Sequence, residues 1–294
     1  MSGNKDSYYL PEPSYWPIVG SLALFLMATG FILMLNKSGA GGITLLAGLG
    51  VLLFMMYGWF GVVIKESESG MYNKQVDKTF RLGMSWFIFS EVMFFAAFFG
   101  ALFYARVLSL PWLASGDTMA QLWPQFQGAV TLWPTHTPGL EQVSGPGSVH
   151  PFTPMGAWGI PAINTLLLLS SGVTLTWAHW GLLKNNRSQL IWGLVLTIAL
   201  AITFISLQAY EYHHAYTALG LTMGAGIYGA TFFMLTGFHG FHVMLGTTML
   251  AVILVRSMKG HFKPDAHFGF EGVAWYWHFV DVVWLGLFVF VYWV

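Results

Sequence analysis

Residues Ile43–Ile64 read ITLLAGLGVLLFMMYGWFGVVI, a run without one charged side chain. At about 1.5 Å rise per residue it makes a helix of about 33 Å, enough to cross a hydrocarbon layer of roughly 30 Å. Six further runs of spanning length accompany it. The seven predicted spans are Trp16–Leu35, Ile43–Ile64, Gly83–Tyr104, Ile160–Leu183, Leu190–Ala209, Ile227–Val255 and Val273–Val294. Composition agrees: charged residues are 8% of the chain, against roughly 25% in soluble domains. The sequence describes an all-α integral membrane protein.

The links between runs set the organisation. Asn36–Gly42 is short and Gly-rich, so the first two spans are expected to be antiparallel neighbours, as are the two joined by Lys184–Arg187. Ser109–Trp158 is rich in Pro and Gly, contains no spanning run, and reads as one large outer loop. This divides the chain into an N-terminal tail, helix pair and loop over 1–80, and a five-span region over 81–294. No repeat at a fixed period is present, which weakens an inverted-repeat transporter reading.

Basic residues predict orientation. One side carries Lys5, Lys65, Lys74, Lys78, Arg81, Lys184, Arg187, Arg256, Lys259 and Lys263; the other carries Lys37 and Arg106. The N-terminus is therefore expected in the cytoplasm and the C-terminus outside. The opening MSGNKDSYYLPEPSYWP lacks the basic start and short apolar core of a cleavable signal, and no lipidation motif is present. Absent cysteines exclude disulfides, thiolate metal sites and iron–sulfur clusters. A formal net charge of zero leaves no basic surplus for a nucleic acid.

Ionisable groups inside such spans need a physical reason, because a mid-membrane acid costs roughly 2.5–3.5 kcal/mol on insertion scales. Glu91, within Phe87–Phe95, has nothing basic within one helical turn and is expected to be a desolvated carboxyl with a proton-related role. His278 and Asp281 stand three apart on one face and read as a structural pair. His239 and His242 share a face without a nearby carboxylate; a metal or haem reading is weighed against packing, and packing is preferred. His179 is expected at an interfacial helix end. Lys65, Glu66 and Arg256 end cytoplasmic segments and read as helix anchors, with a phospholipid headgroup as the alternative.

Several stretches resemble subunit III of cytochrome c oxidase, in the haem–copper oxidase superfamily. They are His267–Glu271 followed by Ala274–Trp284, Ile227–Phe233 leading into Thr236–Val243, Thr176–His179 with Asn185–Arg187, and Phe89–Val92. The resemblance covers about Arg81 to Trp293 and is looser over 1–80; the loop Ser109–Trp158 looks individual to this chain. It implies seven helices, the first two splayed from a five-helix bundle with lipid in the cleft between them. It implies no catalytic residue, haem or copper in this chain, those cofactors belonging to partner subunits I and II. The implied complex takes electrons from cytochrome c, reduces O₂ to water and pumps protons, while this subunit supports proton uptake and stability during turnover. Glu91 matches the family's buried glutamate, and Trp59, Lys65, Glu66 and Arg256 fall where the family binds phospholipid. The alternatives are subunit III of a quinol oxidase, whose chains lack the first two helices, a stand-alone proton-coupled transporter, and a haem-binding electron carrier using His239 and His242.

The orientation has a direct test in a bacterial host. A periplasm-dependent alkaline phosphatase fused after residue 294 is expected to be active, and the same reporter fused after residue 187 inactive.

Overall fold

In a computed structural model the described residues are 9, 12–115, 133 and 152–293, and they are dominated by long helices. These are α1 (Trp16–Leu35), α2 (Gly41–Glu68), α3 (Lys74–Phe103), a π-helical turn (Tyr104–Ser109), α4 (Leu110–Ser115), α5 (Ile160–Leu183), α6 (Arg187–Thr217), α7 (Gly226–Lys259), α8 (Phe268–Leu287) and a second π-helical segment (Phe288–Trp293). Seven of them are long and apolar enough to span a membrane, as the sequence predicts. Their ends differ from the apolar runs. α3 begins at Lys74 rather than Gly83, and α6 occupies Arg187–Thr217 rather than Leu190–Ala209. Hydropathy marks where oil begins, whereas the backbone ladder continues through interfacial Lys, Gln, Glu and Tyr that tolerate helix well. The predicted loop beginning at Ser109 is corrected likewise: the chain stays helical to Ser115. The rest of that loop lies largely outside the described residues.

The chain divides into two compact units, Met1–Leu82 and Gly83–Val294. In the first, α1 and α2 form an antiparallel hairpin held by close backbone approach. A Cβ on Gly48 would stand 2.7 Å from the Met27 nitrogen, and one on Gly30 would overlap the Leu45 backbone. Small residues at such points let helices in lipid gain dispersion contact without a hydrophobic drive. Trp16 fills the open end of the hairpin against Phe54, with ring centroids 5.7 Å apart. The outward side chains, among them Ile18, Phe25, Leu46 and Phe60, are apolar and exposed.

In the second unit α8 is the most enclosed helix, with Trp277, Val280, Trp284 and Leu287 wholly inaccessible. Two tryptophan N–H groups join it to α5: Trp277 Nε1 donates to Ser171 Oγ at 2.9 Å, and Trp284 Nε1 donates to Thr165 Oγ1 at 2.9 Å. α5 and α6 reverse through Lys184–Asn186, where Asn185 adopts φ 53° and the Asn186 side chain accepts from Gln189 N at 3.1 Å. That is the expected tight turn, closed by an N-cap. Thr174 and Thr197 hydroxyls meet at 2.8 Å between the same helices, and Tyr212 and Thr236 at 2.7 Å between α6 and α7. The end of α7 is capped from α6, where Arg187 donates to the carbonyls of Ser257 and Met258 at 2.8 and 2.6 Å.

Two glycines of α2 test the packing of the hairpin. Gly48→Ala forces a Cβ into the α1 backbone and should cost about 1–3 kcal/mol. Gly50→Ala meets nothing within 4 Å and should be neutral or stabilising by up to about 1 kcal/mol. Thermal unfolding midpoints of the two purified variants separate these outcomes.

Candidate functional site

α3, α7 and α8 meet around one acid–base pair. Glu91 Oε2 lies 2.9 Å from His242 Nε2, with the two side chains 21% and 9% exposed. His242 Nδ1 is 2.6 Å from the Phe238 carbonyl, which can only accept, so Nδ1 carries a proton. The 2.9 Å contact then holds one more proton: either the carboxylic acid donates to Nε2 or an imidazolium N–H donates to the carboxylate. Both forms are neutral as a pair, which is what a low-dielectric site favours. Phe95 and Tyr276 enclose the imidazole, with centroids 5.1 and 6.3 Å away, and the Tyr276 hydroxyl donates to the His242 carbonyl at 3.5 Å.

The base expected nowhere near Glu91 in sequence therefore arrives from a helix 151 residues onward. Ser90, its chain neighbour, gives its hydroxyl proton to Phe87 O at 2.7 Å instead. His239 turns away from this pair. Its Nε2 donates to the Val280 carbonyl at 3.2 Å, and its ring is buried beside Phe204 and Trp284. The two histidines, one turn apart, thus serve different neighbours.

His278 and Asp281 are brought together, Nδ1 to Oδ2 at 3.5 Å, with Asp281 buried and the His278 side chain 45% exposed. A side chain at Gly172 would collide with Asp281, so this glycine makes room for the acid. Trp59, Lys65 and Glu66 lie on α2 in the first unit, and Arg256 on α7 in the second. Trp59 and Lys65 are exposed, whereas Glu66 is half-buried and accepts the Tyr72 hydroxyl at 2.7 Å. Burial and that carboxylate hold the Tyr72 hydroxyl's pKa above its ordinary value. The Arg256 guanidinium stands 4.5 Å over the Phe262 ring.

Two polar groupings escaped the sequence reading. Glu211, 1% exposed, accepts from Tyr292 OH at 2.6 Å and from Gln208 Nε2 at 3.3 Å, while Asn164 donates to Gln208 at 3.3 Å. A span ending at Ala209 left this acid outside the membrane region; Gln208 and Glu211, three apart, were the available signal. His179, His267 and Glu271 present ligand atoms within 4.8 Å of one another. His267 Nδ1 donates to Lys263 O at 3.1 Å, which leaves Nε2 as the ligating atom when the ring is neutral. That donor set fits a divalent cation. His267 and Glu271 are one turn apart, but no linear signal placed His179 beside them.

The sequence profile of the family described as "Cytochrome c oxidase subunit III" matches residues 6–143 and 118–294. The chain belongs to this family. Among curated relatives, cytochrome c oxidase subunit 3 of Dugong dugon is 41% identical over 294 residues, covering 100% of this chain and 99% of the relative. Those of Hippopotamus amphibius and Rhinoceros unicornis are each 40% identical with the same coverage. Membership makes this chain a subunit of an oxidase complex, a multi-pass membrane protein whose associations are with other subunits. The stretch Ala274–Trp284, quoted from sequence for its resemblance, is the part of α8 that carries both tryptophan stitches, Tyr276 and the His278–Asp281 pair.

Within this subunit III, His242→Leu strands the Glu91 carboxyl without its partner and should lower stability by about 1–3 kcal/mol. Glu91→Gln keeps an N–H donor toward Nε2 and should lower it by less. Unfolding midpoints of the assembled complex, measured for both, give the order.

Proposed function

We propose that this chain is the subunit III of a cytochrome c oxidase that carries no haem or copper of its own and supports proton uptake and turnover stability of the O₂-reducing, proton-pumping complex. The observation that carries the reading is the Glu91–His242 contact: a carboxyl and an imidazole inside a membrane span, 2.9 Å apart. A proton moves between the two atoms of such a pair without changing its net charge, whereas uptake of a further proton adds one charge and couples the pair to a neighbour's proton traffic. The engagement of both His242 nitrogens, by Phe238 O and by Glu91, supports a packing and proton-related role for that histidine rather than haem ligation.

The partners in this reading are subunits I and II, which hold the haem and copper, and cytochrome c through the complex. The presence of α1 and α2 favours cytochrome c over quinol as donor. Trp59, Lys65, Glu66 and Arg256 are proposed phospholipid contacts, with the exposed Lys65 ammonium and the Arg256 guanidinium as headgroup cations. The proposed location is a bacterial-type inner membrane, with the N-terminus cytoplasmic by the basic-residue bias and the C-terminus periplasmic.

Glu91→Gln tests the role. Haem content and subunit recovery should match the wild type, while proton uptake slows or the enzyme inactivates severalfold sooner during turnover. Unchanged proton uptake together with an unchanged turnover lifetime returns Glu91 to packing.

A further inference from the structure

Where the C-terminal end of α5 meets the start of α8, three side chains bring their ligating atoms together. His267 is the residue that caps α8, Glu271 lies in the first turn of that helix, and His179 comes from α5. Their ligand atoms lie within 4.8 Å of one another, and His267 Nε2 is 3.4 Å from Glu271 Oε1. The His267 side chain is 8% exposed and that of Glu271 16%. His179 Nε2 and His267 Nε2 are both buried, and neither has a hydrogen-bond partner among the described residues.

Packing alone leaves this arrangement unexplained. The Nδ1 proton of His267 goes to Lys263 O at 3.1 Å, so the neutral ring presents a lone pair at Nε2, and the oxygen 3.4 Å away is an acceptor too. A carboxylate suits the positive end of α8, but that accounts for Glu271 and not for two imidazole nitrogens gathered beside it, each bearing the cost of a buried atom without a partner. The rings are held in place: His179 packs on Phe270 at 5.2 Å and on His267 at 5.4 Å between centroids. A divalent cation answers both lone pairs and the carboxylate at once.

We propose that His179, His267 and Glu271 form a binding site for one Zn²⁺ ion. Ligands about 2.1 Å from a tetrahedral zinc stand about 3.4 Å from each other. The His267–Glu271 contact already has that length, and a small rotation of the His179 ring closes the rest. Two imidazoles with one carboxylate form a zinc set that leaves the fourth position to water, and the nitrogen donors select against Mg²⁺ and Ca²⁺, which take oxygen. Lys263 O completes the design by fixing the tautomer of His267. The ion clamps the start of α8, and with it the link from α7, to the end of α5.

The test uses the purified, assembled complex, equilibrated with zinc chloride in a large excess of Mg²⁺ and then freed of unbound metal. Elemental mass spectrometry should find one zinc more per complex in the wild type than in His179→Gln or Glu271→Gln. Diffraction from wild-type crystals at the zinc absorption edge should place an anomalous peak between the three side chains, a readout that stands even where a variant fails to assemble. Equal zinc in wild type and assembled variants overturns the proposal. So does a zinc-edge map with no peak at the three side chains, or loss of the ion to Mg²⁺.

Discussion

Hydrocarbon supplies no hydrogen-bond partner, so each polar group carried into a span must find one inside the protein. That constraint organises the second unit. Trp277 and Trp284 reach Ser171 and Thr165, Thr174 meets Thr197, and Tyr212 meets Thr236. Each contact ties two helices at one height, and together they fix rotations and offsets that apolar surfaces would leave interchangeable. The first unit lacks such stitches between α1 and α2 among its described residues. It relies on backbone proximity at Gly30 and Gly48, which is the other way two helices gain contact in lipid.

The same constraint separates two histidines that look equivalent in sequence. His239 gives its Nε2 proton to a carbonyl and is sealed by Phe204 and Trp284, an arrangement with no acid in contact. His242 gives its Nδ1 proton to Phe238 O and turns Nε2 to the Glu91 carboxyl at 2.9 Å. One turn of helix divides a histidine bonded to a backbone carbonyl from one bonded to a carboxyl. The difference lies in what α3 and α8 place opposite, not in α7.

This is also where legibility in the sequence ends. The seven spans follow from apolar runs such as Ile43–Ile64, because oil selects composition directly. The α5–α6 reversal is readable because Asn185 and Asn186 carry the turn chemistry themselves. Glu91 is conspicuous for the cost of its charge, yet its partner is invisible because nothing within a helical turn encodes a residue 151 positions away. Glu211 was missed for the opposite reason: three aromatic and polar neighbours ended the apolar run at Ala209 while the helix continued to Thr217. The His179–His267–Glu271 grouping needs the C-terminal end of α5 and the N-terminal end of α8 to meet, which hydropathy does not specify.

α8 shows why its signature is so dense. A helix enclosed by its neighbours must present a different chemistry to each. Trp277 and Trp284, seven apart, lie on one stripe and hold α5. Tyr276 stands on the flank that closes the imidazole of His242. Phe279 approaches Phe95 of α3 at 6.1 Å, and the Val280 carbonyl receives His239. His278 is left on the sector where α8 is least covered, with Asp281 one turn on. A substitution on the stitched stripe therefore removes a tie between α8 and α5, whereas Val282, 66% exposed, meets the surroundings of the chain.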